Sequence, residues 1–195
     1  MSQEPNPSPA SRRGVPLWVQ ILIWIGLLGL LAVLAISLFK IQNPIITVGS
    51  TVPDFTATLY NGYEFNGANE VHLSDLRGRV VVINFWASWC LPCGQEAADL
   101  ETAWQYYEPA GKVVFLGVDY QDTPAPSQAY LQKYNITYPN GLDKGSRISL
   151  LFNRNLGVPE TYIVDQQGVL RSIKIGPFVS VAEIRTVIDA LLTGE

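Results

Sequence analysis

The sequence predicts an α/β domain, built on a mixed central sheet with helices on both faces, behind one transmembrane helix. Three observations support this class. Two short, apolar, β-branched runs, 79–86 and 112–119, alternate with stretches of helical periodicity, as in strands that are buried on both faces. Two later strand-like runs joined by a tight turn would add antiparallel strands. An uncharged apolar run, 17–39, precedes all of them.

The apolar run 17–39 reads LWVQILIWIGLLGLLAVLAISLF and contains only two polar residues, Gln20 and Ser37. As a helix it would span roughly 34 Å, enough to cross a bilayer core of about 30 Å. A buried core helix would show a polar face, and a cleavable signal peptide has a shorter apolar core. The small residues at 35–37 leave cleavage open. We expect an uncleaved, single-pass signal-anchor.

Flanking charge sets the expected orientation of this anchor. Arg12 and Arg13 precede the run and Lys40 alone follows closely, and an excess of Lys and Arg marks the cytoplasmic side. The N-terminus should therefore be cytoplasmic, and the catalytic domain should lie outside the cell membrane.

The rest of the chain divides simply. Residues 1–16 are rich in Pro and Ser, which predicts a disordered cytoplasmic tail. Residues 40–52 read as a linker, and 53–195 as the folded domain. After Lys40 the chain has ten Lys and Arg against sixteen Asp and Glu, without a basic stripe. Nucleic acid is therefore not expected as a partner.

The elements of the domain are predicted in the following order. They are a hairpin at 54–65, strand 79–86, helix 94–111, strand 112–119, helix 125–134, short helix 146–153, strands 160–165 and 169–175, and a final helix from Ser180. Asn61-Gly62 favours a hairpin turn. A strand–helix–strand crossover implies that the two central strands are parallel.

Periodicity and end signals support the helices. Leu100, Trp104 and Tyr107 share one helical face, and the final helix opens with Ser180 and Glu183, the pattern of a capping box. Pro124 and Pro126 are tolerated only in the first turn of helix 125–134. The apolar stripe of the final helix consists of Val181, Ile184, Ile188 and Leu191.

The only two cysteines, Cys90 and Cys93, lie in the segment NFWASWCLPCGQE, 84–96, and His72 is the only histidine. A structural zinc site needs four ligands, which these residues cannot supply within one chain. A disulfide that closes a two-residue loop constrains the unfolded chain very little. Redox chemistry fits better, because Cys90 would lie at a helix N-terminus, where free N–H groups and the helix dipole favour a thiolate.

The stretch FWASWCLPC, 85–93, resembles the active site of thioredoxin-like proteins, and the order of elements is similar to that fold from about Val52 onward. The resemblance implies a redox-active disulfide between Cys90 and Cys93. Cys90 would attack a substrate disulfide and Cys93 would resolve the mixed disulfide. Neither a cofactor nor a metal is expected.

The segment GVPET, 157–161, is similar to the loop that faces the cysteines in this family. The resemblance implies that Pro159 is a cis-proline and that the backbone of Val158 pairs with the substrate chain. Trp89, Leu91 and Pro92 are the further residues expected to contact substrate. Trp86 is expected to pack in the core.

Asn84 stands where cytosolic thioredoxin has a buried Asp, and an amide cannot exchange a proton. A carboxylate does occur at Glu96, on the same helical face as Cys93. With the anchor and the hairpin, this pattern resembles membrane-anchored extracytoplasmic thiol–disulfide reductases, including those of cytochrome c maturation. The resemblance implies that Glu96 exchanges a proton with Cys93. The alternative is a first-turn Glu that the helix dipole favours.

The expected partners are a protein dithiol or disulfide outside the membrane and a transmembrane thiol reductase that supplies electrons. The substrate could be apocytochrome c. Three alternatives stay open at this point. They are a general extracytoplasmic disulfide oxidoreductase, a peroxiredoxin-like thiol peroxidase and a redox-silent binding module. Ala87 stands where the peroxidase pattern has Thr, which disfavours the second.

Overall fold

The computed structural model of the chain describes residues 16–41, 46–154 and 157–194. The chain divides into two compact units, with the boundary after Pro44. In the first unit, helix α1 (Leu17–Ile41) contains a stretch, Leu17–Ile36, that is long and apolar enough to cross a membrane. Apart from Pro16, the predicted tail lies outside the described residues.

The second unit contains two sheets. The smaller one pairs β1 (Thr56–Thr58) with β2 (Glu70–His72) in antiparallel register. The larger one has five strands, β3 (Val80–Trp86), β4 (Val113–Asp119), β5 (Asn140–Leu142), β6 (Glu160–Val164) and β7 (Leu170–Ile175).

The larger sheet has the spatial order β5-β4-β3-β6-β7. Strands β3, β4 and β5 run parallel to one another, whereas β6 is antiparallel to both β3 and β7. The predicted mixed sheet with a parallel central pair and a terminal antiparallel pair is therefore confirmed.

Helices cover both faces of this sheet. They are α2 (Leu91–Tyr107), α3 (Pro124–Lys133), α4 (Arg147–Leu151) and α5 (Val181–Thr193). Side chains of α2, α3 and α5 join one apolar cluster, whereas α4 and the small sheet contribute to the other. In α5, the Ser180 hydroxyl accepts the N–H of Glu183, and Glu183 accepts the N–H of Val179 instead of that of Ser180.

Strand β3 shows why the central strands are continuously apolar. All seven of its residues are buried. Val80, Val82 and Trp86 face the cluster under α2, and the alternate residues Val81 and Ile83 face the opposite one, as the two-residue period of a strand requires. The chain therefore enters the segment after β3 from a strand whose residues are all buried.

The predicted hairpin at 54–65 is wrong in its pairing. An added two-stranded antiparallel sheet is present, but β1 pairs with β2, so that Ala57 lies opposite Val71. Leu59 and Tyr60 are both buried, which breaks the alternation of a strand. The Tyr60 hydroxyl donates to Asp119 at 2.6 Å, and the Tyr60 N–H donates to the carbonyl of Asn140 at 2.8 Å, so Tyr60 is bonded to two strands of the main sheet.

The segment 46–52 belongs to the domain and not to the predicted linker. Ile46 and Val52 are buried. The N–H of Val52 donates to Gly168 at 2.9 Å, and the N–H of Leu170 donates to Ser50 at 2.9 Å. These backbone bonds extend the sheet region beside the start of β7. Residues 42–45 lie outside the described residues.

Candidate active site

Cys90 and Cys93 lie where β3 ends and α2 begins, and a disulfide joins them. Cys90 is the N-cap of α2, and its Sγ accepts the N–H of Cys93 at 3.1 Å. Cys90 is 6% exposed and Cys93 is 1% exposed. Cys90 is therefore the more accessible residue of the two.

The segment before the cysteines is held by the loop that follows β4. The Asp122 carboxylate accepts the N–H of Ser88 at 2.6 Å, and the indole of Trp89 donates to the carbonyl of Gln121 at 3.3 Å. Pro92 lies in the first turn of α2, where its missing N–H has no intrahelical partner to lose. Asp122 was not predicted as a site residue, because it lies on a loop 34 residues beyond Ser88.

Two of the residues expected to contact substrate are strongly exposed. Trp89 is 60% exposed and Leu91 is 77% exposed. They form one wall of a groove beside the disulfide, and the other wall comes from α3 and the residue after it. The groove is lined by Ser88, Trp89, Cys90, Leu91, Pro126, Ala129, Tyr130, Lys133 and Tyr134. Apolar side chains are thus available to a substrate beside Cys90.

Trp86 packs in the core beneath this segment, as expected. It is 2% exposed, its ring stacks on Tyr130 with centroids 4.5 Å apart, and its indole N–H donates to the Asn140 side chain at 2.8 Å. Asn140 comes from β5, a strand that the sequence analysis did not predict. Its three residues, Asn-Gly-Leu, carry none of the β-branched enrichment that signals a strand.

Glu96 is 1% exposed, and described donors reach both of its carboxylate oxygens. Oε1 accepts the side-chain N–H of Asn84 at 2.9 Å, and Oε2 accepts the backbone N–H of Phe178 at 2.8 Å. Asn84 also donates to the Thr161 hydroxyl at 2.9 Å. Glu96 is therefore a buried group one helical turn beyond Cys93, and Asn84 is its hydrogen-bonded partner.

Burial raises the pKa of Glu96 to about 7, because an ionised carboxylate loses its hydration inside the domain. The N–H of Phe178 and the Asn84 amide oppose this shift, since they stabilise the charged form. A carboxyl group with this pKa can accept or release a proton near neutral pH. The loop before α5, which carries Phe178, was not predicted to take part in the site.

The segment 157–161 lies next to this site. The Val158–Pro159 peptide bond is cis, and Val158 packs against the apolar cluster that contains both cysteines. The carbonyl of Pro159 accepts the N–H of Gly176 at 3.0 Å. The backbone N–H and C=O of Val158 make no hydrogen bond to another residue that the structure describes.

The comparisons with known proteins agree with this geometry. The sequence profile of the AhpC/TSA family matches residues 48–173. The thioredoxin-like protein YneN of Bacillus subtilis is 31% identical over 134 residues, which cover 67% of this chain and 73% of that protein. The thiol-disulfide oxidoreductase ResA of Geobacillus kaustophilus is 29% identical over 138 residues, which cover 71% and 75%.

A solution structure from Bacteroides thetaiotaomicron, described as a candidate protein disulfide isomerase, has a TM-score of 0.65 and 28% sequence identity. The match covers 76% of this chain and 92% of that one. The predicted thioredoxin-like fold and the predicted enzyme class are both confirmed. The chain thus belongs to the AhpC/TSA family, and within it to the thioredoxin-like thiol–disulfide oxidoreductases.

Proposed function

We propose that the protein is a membrane-anchored reductant of extracytoplasmic protein disulfides, with Cys90 as the attacking thiol and Cys93 as the resolving thiol. The observation that carries the proposal is the buried carboxyl of Glu96, one turn beyond Cys93, whose pKa is raised to about 7 by burial. A reductant must remove a proton from its second, buried thiol, and a base of this pKa is suited to that task.

In the first step, the Cys90 thiolate attacks one sulfur of the substrate disulfide. A new S–S bond forms to Cys90, the substrate S–S bond breaks, and one substrate sulfur leaves as a thiolate. The N–H of Cys93, 3.1 Å from the Cys90 sulfur in the disulfide form, and the N-terminus of α2 favour negative charge on that sulfur.

In the second step, the Cys93 thiol gives its proton to the Glu96 carboxylate and attacks the Cys90 sulfur. The mixed disulfide breaks, and the second substrate sulfur leaves as a thiolate. The substrate has gained two electrons, and the enzyme ends in the Cys90–Cys93 disulfide form. Hydrogen bonds from Asn84 and Phe178 hold the carboxyl in place throughout.

Substrate contacts are proposed for the residues around Cys90. The free backbone N–H and C=O of Val158 would form strand-like hydrogen bonds with the substrate chain, in the manner of β-strand addition. Trp89 and Leu91 would cover its apolar side chains. Pro92 would limit the conformation of the first turn, and Pro159 would present Val158.

The proposed direction rests on charge. Strong oxidants stabilise their reduced form because the pKa of the attacking cysteine thiol is very low. Positive charge near the sulfur lowers this pKa, and neither Leu91 nor Pro92 brings positive charge to Cys90. A reductant outside the membrane needs electrons, so we propose a transmembrane thiol reductase as donor. The proposed orientation, with helix α1 as the anchor, follows from Arg12 and Arg13.

The proposed substrate is the disulfide of a C-x-x-C-H haem-attachment segment, as in cytochrome c maturation. General repair of extracytoplasmic thiols uses the same chemistry, and the captured partner distinguishes the two. The peroxiredoxin-like alternative considered above would need a hydroxyl group at position 87. Ala87 is fully buried and carries no hydroxyl, so we expect hydrogen peroxide to be consumed no faster than by a free thiol.

The test uses the full chain with the substitution Cys93→Ser, expressed in cells so that it is inserted in the cell membrane. We expect this variant to accumulate a mixed disulfide between Cys90 and a substrate cysteine, which mass spectrometry identifies. The Cys90→Ser/Cys93→Ser variant is the matched control and should capture nothing. Capture of no protein, or a potential near the roughly −120 mV of a strong oxidant instead of below about −200 mV, would contradict the proposal.

A further inference from the structure

Arg154 has a buried side chain that the mechanism above does not use. Its side chain is 3% exposed, and so is that of Glu160. Nε donates to Glu160 Oε2 at 2.5 Å, and Nη2 donates to the carbonyl oxygen of Gly157. One guanidinium group therefore forms hydrogen bonds with both ends of the segment 157–160, which contains Val158.

Two aromatic rings fix the other side of this guanidinium group. Its central carbon lies 4.1 Å from the ring centroid of Phe85 and 4.9 Å from that of Tyr120. Phe85 lies on β3, immediately before Trp86, and the N–H of Tyr120 donates to the carbonyl of Trp86 at 2.8 Å. Arg154 thus ties the segment 157–160 to the strand that leads to Cys90.

Stability alone does not explain a buried Arg–Glu pair. Well-packed apolar residues of similar volume are often as stabilising, because two charges must lose their hydration. A guanidinium group differs from them in geometry, since its planar fork binds two acceptors in fixed directions. Here those acceptors are the Gly157 carbonyl and the Glu160 carboxylate, on either side of Val158.

The two carbonyls that flank Val158 are both held. Arg154 binds the carbonyl of Gly157, and Gly176 binds that of Pro159. Val158, between them, keeps its N–H and C=O without a partner among the described residues. An anchored backbone with a free central unit is preorganised for pairing, which reduces the ordering that binding requires.

We propose that Arg154 is a positioning residue that sets the place of the Val158 backbone relative to Cys90 and thereby the affinity for an extended protein substrate. The inference rests on the proposed function, because it concerns the same substrate chain. Arg154 does not touch the reacting sulfurs. Its loss should weaken substrate binding and leave the thiol chemistry unchanged.

The test compares two variants in single-turnover reactions of the pre-reduced full chain in detergent. Arg154→Lys keeps the positive charge but loses the planar guanidinium group that binds two acceptors at once. Arg154→Met/Glu160→Gln removes both charges, so that no carboxylate is left buried without its partner. Arg171→Gln is the control, because Arg171 pairs with Asp165 at 2.6 Å and its side chain is 48% exposed.

Each protein is mixed with a synthetic peptide that carries an oxidised C-x-x-C-H segment and, separately, with bis(2-hydroxyethyl) disulfide. In both Arg154 variants we expect the half-saturating peptide concentration to rise about tenfold, or ~1.4 kcal/mol. The limiting rate and the reaction with the small disulfide should change less than about twofold, as should every measurement on Arg171→Gln.

Three results would overturn the inference and leave the proposed function standing. An unchanged half-saturating concentration in both variants is the first, and an equal loss of rate with both disulfides is the second. Failure of both variants to fold, measured by circular dichroism, is the third, because Arg154 would then be a structural residue. If the wild type reduces the small disulfide but not the peptide, the proposed function fails, and this inference fails with it.

Discussion

Glu96 links the protonation of the site to the stability of the domain. Its pKa is about 7 in the folded disulfide form, against an ordinary value of 4.5. Because the folded value is the higher one, folded protein holds the proton more tightly than unfolded protein between these two values. Stability from this group is full below about pH 4.5 and is lost as the pH rises to about 7.

The Glu96→Gln variant should remove this dependence. Relative to the variant, the oxidised wild type should lose about 3 kcal/mol of unfolding free energy between pH 4.5 and pH 7, at about 1.36 kcal/mol per pKa unit. Denaturant unfolding at several pH values measures the difference. Glu70→Gln, which removes an exposed carboxylate from β2, is the control. A constant difference between Glu96→Gln and wild type across this range would contradict the prediction.

Sequence reasoning could place Glu96 but not its surroundings. Spacing along one helix showed that Glu96 shares a face with Cys93, and the resemblance suggested its role. Its burial depends on Phe178, 82 residues further along the chain, and on Asn84 at the centre of β3. The Asp122 contact with Ser88 spans 34 residues. Local patterns do not encode such pairings, so they became visible only in the folded domain.

At the scale of elements, β5 packs against the small sheet through Gly141. A Cβ at this position would lie 2.0 Å from the carbonyl oxygen of Thr58 and 2.8 Å from its carbonyl carbon. Both atoms belong to the backbone, so the two sheets would have to separate. Gly141→Ala should therefore destabilise the domain by about 2–3 kcal/mol, towards the upper end of the usual cost of overpacking.

Gly94→Ala is the matched comparison. A Cβ at Gly94 would meet the hydroxyl of Tyr134 at 2.3 Å, but this is the end of a half-buried side chain that can swing aside. Alanine is also preferred over glycine in a helix by about 1 kcal/mol. The two effects should nearly cancel. Thermal and urea unfolding measure both variants, and equal destabilisation of the two would contradict the packing argument.

The elements that sequence reasoning predicted well are those with long, one-sided patterns. Strands β3 and β4 are continuous apolar runs, and α5 combines a cap with an apolar stripe. The errors involve short or exposed segments. Strand β5 has three residues, and β1 pairs across an irregular connection with β2, which Asn61-Gly62 did not indicate. In both cases contacts with the main sheet override weak local preference.

At the scale of the whole molecule, the length and hydropathy of the apolar run were sufficient to predict helix α1, which we propose as the membrane anchor. Its orientation is open to a direct test, since the chain has only two cysteines. After reduction by an impermeant phosphine, an impermeant maleimide should label Cys90 in right-side-out membrane vesicles. Inside-out vesicles should be labelled only after detergent is added.

Three controls make this last prediction specific. The Cys90→Ser/Cys93→Ser variant should not be labelled at all. Arg12→Glu/Arg13→Glu removes the charges that favour a cytoplasmic N-terminus and should lower the labelled fraction in right-side-out vesicles. Mass spectrometry of the membrane-bound protein should find residues 17–39 still attached. Labelling confined to inside-out vesicles would reverse the orientation, and a bare domain released into the soluble fraction would show that the helix is cleaved and does not anchor the enzyme.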